Sequence, residues 1–133
     1  MPNSLEVRNY MQAKPVTVSP EMSVHEAAKK IQEHKVSGAA VVDTENNLVG
    51  MLSELDCLRS LVNAIYNGND PGGALVSDIM TRDVIVNQPG EDIVSVAASM
   101  LERKQRRRPV VENGKLIGQV TCRQILAAIQ DFR

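Results

Sequence analysis

This chain carries one pattern twice, and that repetition restricts its fold more than any other feature. MQAKPVTVSPEMSVHEAAKKI opens at Met11 and MTRDVIVNQPGEDIVSVAASM opens at Met80, an offset of 69. Val24, Ala27, Ala28 and Ile31 recur at that offset as Ile93, Val96, Ala97 and Met100. Val41 and Val42 recur as Val110 and Val111, and Leu48, Val49 and Gly50 as Leu116, Ile117 and Gly118. Ser53 recurs as Thr121, while VTV (16–18) meets VIV (84–86) at offset 68, a one-residue slip. The matches fall on spaced apolar and turn positions, as expected of one supersecondary unit used twice. A unit of about 60 residues buries little surface by itself, which favours packing of the two against each other.

Each unit reads strand–helix–strand–strand–helix. VTV and VIV are short extended segments. The stripe Val24, Ala27, Ala28, Ile31 has the i, i+3, i+4, i+7 spacing of an amphipathic helix. Ser23 and Glu26 form a capping-box signature at its start. In the second unit Asp92 is the cap, and the stripe is Ile93, Val96, Ala97, Met100 and Leu101. AAVV (39–42) and LVGMLS (48–53) flank the polar turn DTENN. PVVE and LIGQVT flank Asn113-Gly114, a strong hairpin signal. A closing helix puts Leu55, Leu58, Val62 and Ile65 on one face in unit one, and Ile125, Leu126 and Ile129 on one face in unit two. The expected organisation is a first repeat over 7–65, a connecting loop over 66–75 rich in Gly, Asn and Asp, and a second repeat over 76–130.

Composition narrows the function classes. The 133 residues carry a formal net charge of −1, so the cations of RKQRRR (103–108) form a local patch on a balanced chain. A general polyanion binder carries a large positive excess. Tyr10, Tyr66 and Phe132 are the full aromatic set, too few for a base-stacking platform. Nucleic acid is therefore disfavoured as a partner. No apolar run has the length of a membrane span. The opening MPNSLEVRNYM lacks the charged start and apolar core of a secretory signal. Cys57 and Cys122 read as reduced thiols of a cytoplasmic protein. With His25 and His34 they lack zinc-ligand spacing, and no C-x-x-C is present, so no metal site is expected. No catalytic constellation follows from spacing.

The ordered series resembles a tandem pair of cystathionine-β-synthase (CBS) domains, the Bateman module. VRNYM (7–11) and VSDIM (76–80) match the unit starts, and KPVTVSPEMSVHEAA the opening strand and helix. HKVSGAAVVD matches the helix-to-strand junction, and GMLSELDCL the final strand and helix. RRRPVVENGKLIGQVTCRQIL supplies the second unit's counterpart. The resemblance implies an α/β fold of two repeats related by a pseudo-two-fold axis, and a regulatory module in place of an enzyme. It implies an adenosine-containing ligand (AMP, ADP, ATP, NAD or S-adenosylmethionine) in clefts between the repeats. It implies no catalytic cofactor, and a stand-alone module that forms a homodimer and acts on a separate, unidentified protein partner. The ligand positions it implies are Val16, Thr17, Val18, Ser37, Gly38, Ala39, Ser53 and Asp56 in unit one. In unit two they are Val84, Ile85, Arg106, Arg107, Arg108, Pro109, Thr121 and Gln124.

Chemistry gives these positions two readings. A hydroxyl and the first N–H groups of a helix can hold a phosphate, and a carboxylate can accept both hydroxyls of a ribose. Ser53 and Asp56 fit those roles. They equally fit a capping box, which serves only the helix, and Thr121 with Gln124 satisfies that rule as well. Gln124 stands where the ribose Asp is expected, so the second site loses a charge-assisted bond. Arg103 and Lys104 suit a helix C-terminus. Arg106–Arg108 are the candidates for a bidentate phosphate clamp. The alternatives are a nucleic-acid-binding protein that uses the Arg106–Arg108 patch and a purely structural assembly module without a ligand.

Overall fold

The computed structural model describes residues 5–130. They form two compact units, one built from 16–84 and the other from 85 onward together with the N-terminal segment through Pro15. These units cut across the sequence repeats, because each repeat's opening segment packs with the body of the other.

In the 16–84 unit, β2 (Thr17–Val18) runs parallel to β3 (Gly38–Val42), and β3 pairs antiparallel with β4 (Leu48–Ser53). The helix α1 (Val24–Glu33) starts at Ser23, whose Oγ accepts the Glu26 amide at 3.0 Å. Val24, Ala27 and Ile31 are buried against Ala39, Val41 and Leu52, which is the core that the helical stripe predicts. The helix α2 (Glu54–Tyr66) follows β4 without a gap, and the short α3 (Val76–Ile79) closes the unit.

The second unit repeats the plan. β5 (Arg107–Glu112) pairs antiparallel with β6 (Lys115–Thr121). The turn between them has positive φ at both Asn113 (54°) and Gly114 (80°), the conformation a two-residue hairpin favours. The helix α4 (Ile93–Arg103) is capped by Asp92, which accepts the Ser95 amide at 2.9 Å, and α5 (Cys122–Ile129) follows β6 directly. Ile93, Val96, Met100, Val110 and Val120 form its core with Val7 of the N-terminal segment.

The incoming segments add an antiparallel edge to each sheet. β1 (Gln12–Ala13) pairs with β6, setting Gln12 opposite Gln119. Thr81 and Met51 exchange both backbone bonds at 2.9 Å in the other unit. Gly50 and Gly118 make this approach possible. A Cβ at Gly118 would lie 2.7 Å from the Gln12 carbonyl oxygen, and one at Gly50 would lie 2.9 Å from that of Thr81. The glycine that opens GMLS (50–53) and the one that opens GQVT (118–121) are thus needed for backbone docking.

Three expectations change. VIV (84–86) forms no strand. Only Asn87 bridges in parallel to Val110, as Val18 pairs with Val41. The register is therefore 69 from the opening segment through Val42 and Val111 (18 + 69 = 87), and it falls to 68 only after the shorter second hairpin turn, from Leu48 and Leu116 onward. A polar side chain at the buried position obscured the match. Leu101 is not a core residue but is 78% exposed. On α2 the stripe Leu55, Leu58, Val62, Ile65 faces outward, and the buried residue is Cys57. On α5 the buried pair is Ile125 and Ala128, while Leu126 is exposed. These helices carry apolar residues on more than one face, so periodicity does not select the inward one.

Candidate ligand-binding site

Chain direction brings Ser37–Ala39 and Ser53 of the first set of expected residues to one edge of the 16–84 sheet. Gly38 at the start of β3 lies opposite Ser53 at the end of β4, and Thr17 lies opposite Ala40. A Cβ at Gly38 would sit 2.8 Å from the Leu52 carbonyl oxygen, so the junction accepts only glycine without movement. Ser37 is exposed, and its carbonyl accepts the Glu54 amide at 2.9 Å, which ties the junction to the first turn of α2. Val16 is half-buried beside the same core. Asp56 stands on that first turn, so Ser37–Ala39, Ser53 and Asp56 belong to one edge, while Thr17 and Val18 lie further along β3, opposite Ala40 and Val41, and line a different concavity.

The capping box is fully formed here. Ser53 Oγ accepts the Asp56 amide and Asp56 Oδ2 accepts the Ser53 amide, each at 3.0 Å. The helix-start reading of Ser53 and Asp56 is therefore correct as far as it goes. It uses only one carboxylate oxygen. Oδ1 lies outside the box, 3.4 Å from Arg59 Nη1, in a pair whose arginine is 67% exposed and so weakly held. Asp56, Arg59, Ser60, Asn63 and Ile79 line a concavity of about 350 Å³. The neighbouring Cys57 is buried, and burial, followed by the charges of Asp56 and Glu54, pushes its thiol pKa up. It is a packing residue of the core.

The equivalent edge of the second unit has different chemistry. Thr121 Oγ1 accepts the Gln124 amide (3.3 Å) and Gln124 Oε1 accepts the Thr121 amide (3.0 Å). The single amide oxygen of Gln124 is thus engaged in the cap, where a carboxylate would still present a second oxygen. Arg106 is exposed, and its carbonyl accepts the Cys122 amide at 3.0 Å. Arg107 is half-buried opposite Thr121. Pro109 is buried and its carbonyl accepts the Asn87 amide at 3.0 Å. Val84 and Ile85 are half-buried, but the boundary between the compact units falls between them.

Arg108 departs from the expected phosphate clamp. It is 1% exposed, and strand alternation turns it with Val110 toward the helix-covered core. Its donors go to Gln105 Oε1 (2.5 Å), Asn87 Oδ1 (3.3 Å) and Ser99 Oγ (2.8 Å). Asn87 Nδ2 in turn donates to Glu91 Oε1 at 3.2 Å, and the Gln88 amide donates to Glu91 Oε2. Burial, and then the charge of Arg103, lowers the Arg108 pKa, with Glu91 opposing. The sequence reading missed Asn87, Ser99 and Gln105. The one available signal is Asn87 itself, a polar residue at the position of Val18 once the offset is held at 69. Among the described residues, no group of three or more His, Cys, Asp or Glu could hold a metal ion.

A family model for the CBS domain matches residues 7–63 and 76–131, two matches that cover most of the chain. The chain belongs to the CBS-domain family. The protein MJ1225 of Methanocaldococcus jannaschii is 35% identical over 115 residues, covering 86% of this chain and 39% of that one. The chain therefore spans well under half the length of that relative. The structure of CBSX2 in complex with AMP superposes with a TM-score of 0.83 at 33% identity, covering 98% of this chain and 100% of that chain. The CBS pair of MJ0100, in complex with 5′-methylthioadenosine and S-adenosyl-L-methionine, gives 0.80 at 25% identity, with coverage of 98% and 100%. Both neighbours hold adenosine compounds, and the two CBS repeats of this chain share their α/β fold.

Proposed function

We propose that this CBS protein is a regulatory module that senses an adenosine-containing ligand, with the ribose held by Asp56. The observation that carries the reading is the second carboxylate oxygen of Asp56, outside the cap and beside an open concavity. Two ribose hydroxyls need an acceptor of this kind, and Ser53 with the start of α2 adds donors. The AMP of CBSX2 and the S-adenosyl-L-methionine of MJ0100 support the ligand class. Ligand binding shifts how the module docks on a separate protein. No catalytic group is assigned. Calorimetric titration with adenosine, AMP, ATP and S-adenosylmethionine tests the proposal, and absence of heat with all four would end it.

Among the three arginines, Arg106 and Arg107 remain for phosphate. Arg107→Ala is expected to weaken ATP by about tenfold while leaving adenosine near wild type, the loss of one charge-assisted bond. The same titrations check this. Equal weakening of both ligands would remove Arg107 from phosphate contact. Burial of Arg108 also reduces any polyanion-facing patch, which weighs further against nucleic acid.

The outward stripe on α2, with Leu55 and Ile65 each 66% exposed, is assigned to a second copy of this chain. Light scattering at micromolar concentration should show twice the 14.6 kDa chain mass. Leu58→Glu should shift it to monomer, and a wild type of single-chain mass would overturn the assignment. Among the described residues no helix is long and apolar enough to cross a membrane. The free thiols Cys57 and Cys122 suit a reducing compartment, and we place the protein in the cytoplasm.

A further inference from the structure

Each unit fastens its opening extended segment with a cation, and the two units take that cation from opposite elements. In the 16–84 unit Lys30, on α1, donates Nζ to the Thr17 carbonyl oxygen at 2.5 Å. Across from it on β3 stands Ala39, buried and too small to reach anything polar. In the other unit the counterpart of Lys30 is Ser99 (30 + 69 = 99) and that of Ala39 is Arg108 (39 + 69 = 108). Arg108 donates to Ser99 on the helix and to Asn87 on the opening segment, and Asn87 is the counterpart of Val18. The helix–strand pair thus reads Lys–Ala in one unit and Ser–Arg in the other. One cation is present in each. Two would repel within a poorly solvated space, and with none the segment would be held only by its short backbone pairing.

We infer that Lys30 and Arg108 are positioning residues that perform the same task by different routes, each holding the opening segment of its unit against its helix. For Lys30 the consequence is functional, and that part rests on the ligand reading above. Thr17 and Val18 form only a two-residue strand, so their backbone groups keep a fixed place largely through β3 and Lys30. The ammonium also lines a concavity of about 240 Å³ with Thr17, Val18, Met22, Asp43 and Thr44. Thr17 and Val18 are among the ligand positions of that reading, so Lys30 sets affinity by holding this segment in place.

The test separates the cation from the packing of its stem. Lys30→Met keeps a long apolar side chain and removes the donor, and Lys30→Arg keeps a donor. Amide hydrogen exchange of Thr17 and Val18 in the full chain is measured beside adenosine affinity. Lys30→Met is expected to speed exchange at these amides and to weaken adenosine roughly tenfold. Lys30→Arg should stay near wild type in both. Unchanged exchange in Lys30→Met would overturn the positioning role. Faster exchange with unchanged affinity would overturn its link to the ligand. If the wild type binds no adenosine compound, the ligand reading fails, while the exchange measurement still decides the positioning role.

Discussion

Asp56→Ala weakens adenosine and ATP by the same factor, about ten- to a hundredfold, as expected for one charged hydrogen-bonding group worth about 1.5–3 kcal/mol. Equal loss is the signature of a ribose contact, because adenosine and ATP share the ribose and differ in phosphate. The substitution also removes the acceptor of the Ser53 amide, so it lowers stability by about 1 kcal/mol. Asp56→Asn separates the two roles. Its amide oxygen can close the capping box as Gln124 does in the other unit, while no second oxygen remains for the ribose. It should therefore melt near the wild type yet bind adenosine about tenfold more weakly. Calorimetric titration and thermal melting of both variants give the answer. If Asp56→Ala binds every nucleotide as well as wild type, Asp56 serves only the helix.

Arg108→Ala destabilises the protein by about 2–4 kcal/mol. It empties a buried volume and leaves Asn87, Ser99 and Gln105 without their donor. A guanidinium is costly to bury, and here its acceptors are neutral oxygens. Its position is stable only because three of them converge on it. At this chain length each kcal/mol shifts the melting temperature by about 3–5 °C, so a fall on the order of 10 °C is expected. Arg108→Lys should be nearly as damaging, since a single ammonium cannot span the three acceptors. Arg106→Ala removes an exposed side chain and should melt within about 2 °C of wild type. Thermal unfolding followed by circular dichroism compares them. An Arg108→Ala variant with the wild-type midpoint would show that the network contributes nothing to stability.

RKQRRR contains side chains in quite different places. Arg103 ends α4, Lys104 takes up a left-handed conformation (φ 57°) just after it, Arg106 is exposed and Arg108 is in the core. Alternation along a strand predicts that Arg107 and Arg108 point to opposite faces. Only the location of α4 determines which face is covered.

What the sequence determined by itself was everything with a local period or a local bond. The stripes of α1 and α4, the Asn113-Gly114 hairpin and the helix starts at Ser23, Ser53, Asp92 and Thr121 depend on residues within a few positions of each other, and the repeat is this local pattern occurring twice. Tertiary structure decided what depends on distant partners. It turned the apolar stripe of α2 outward and Cys57 inward. It carried Gln12 to Gln119 and so divided the compact units across the repeats. It placed Asn87 at a buried position by giving it Arg108, 21 residues away, as a partner. Hydrophobic period is a property of one segment, but burial is a property of the surface that segment meets, and a polar residue is stable inside only where the fold brings it a partner.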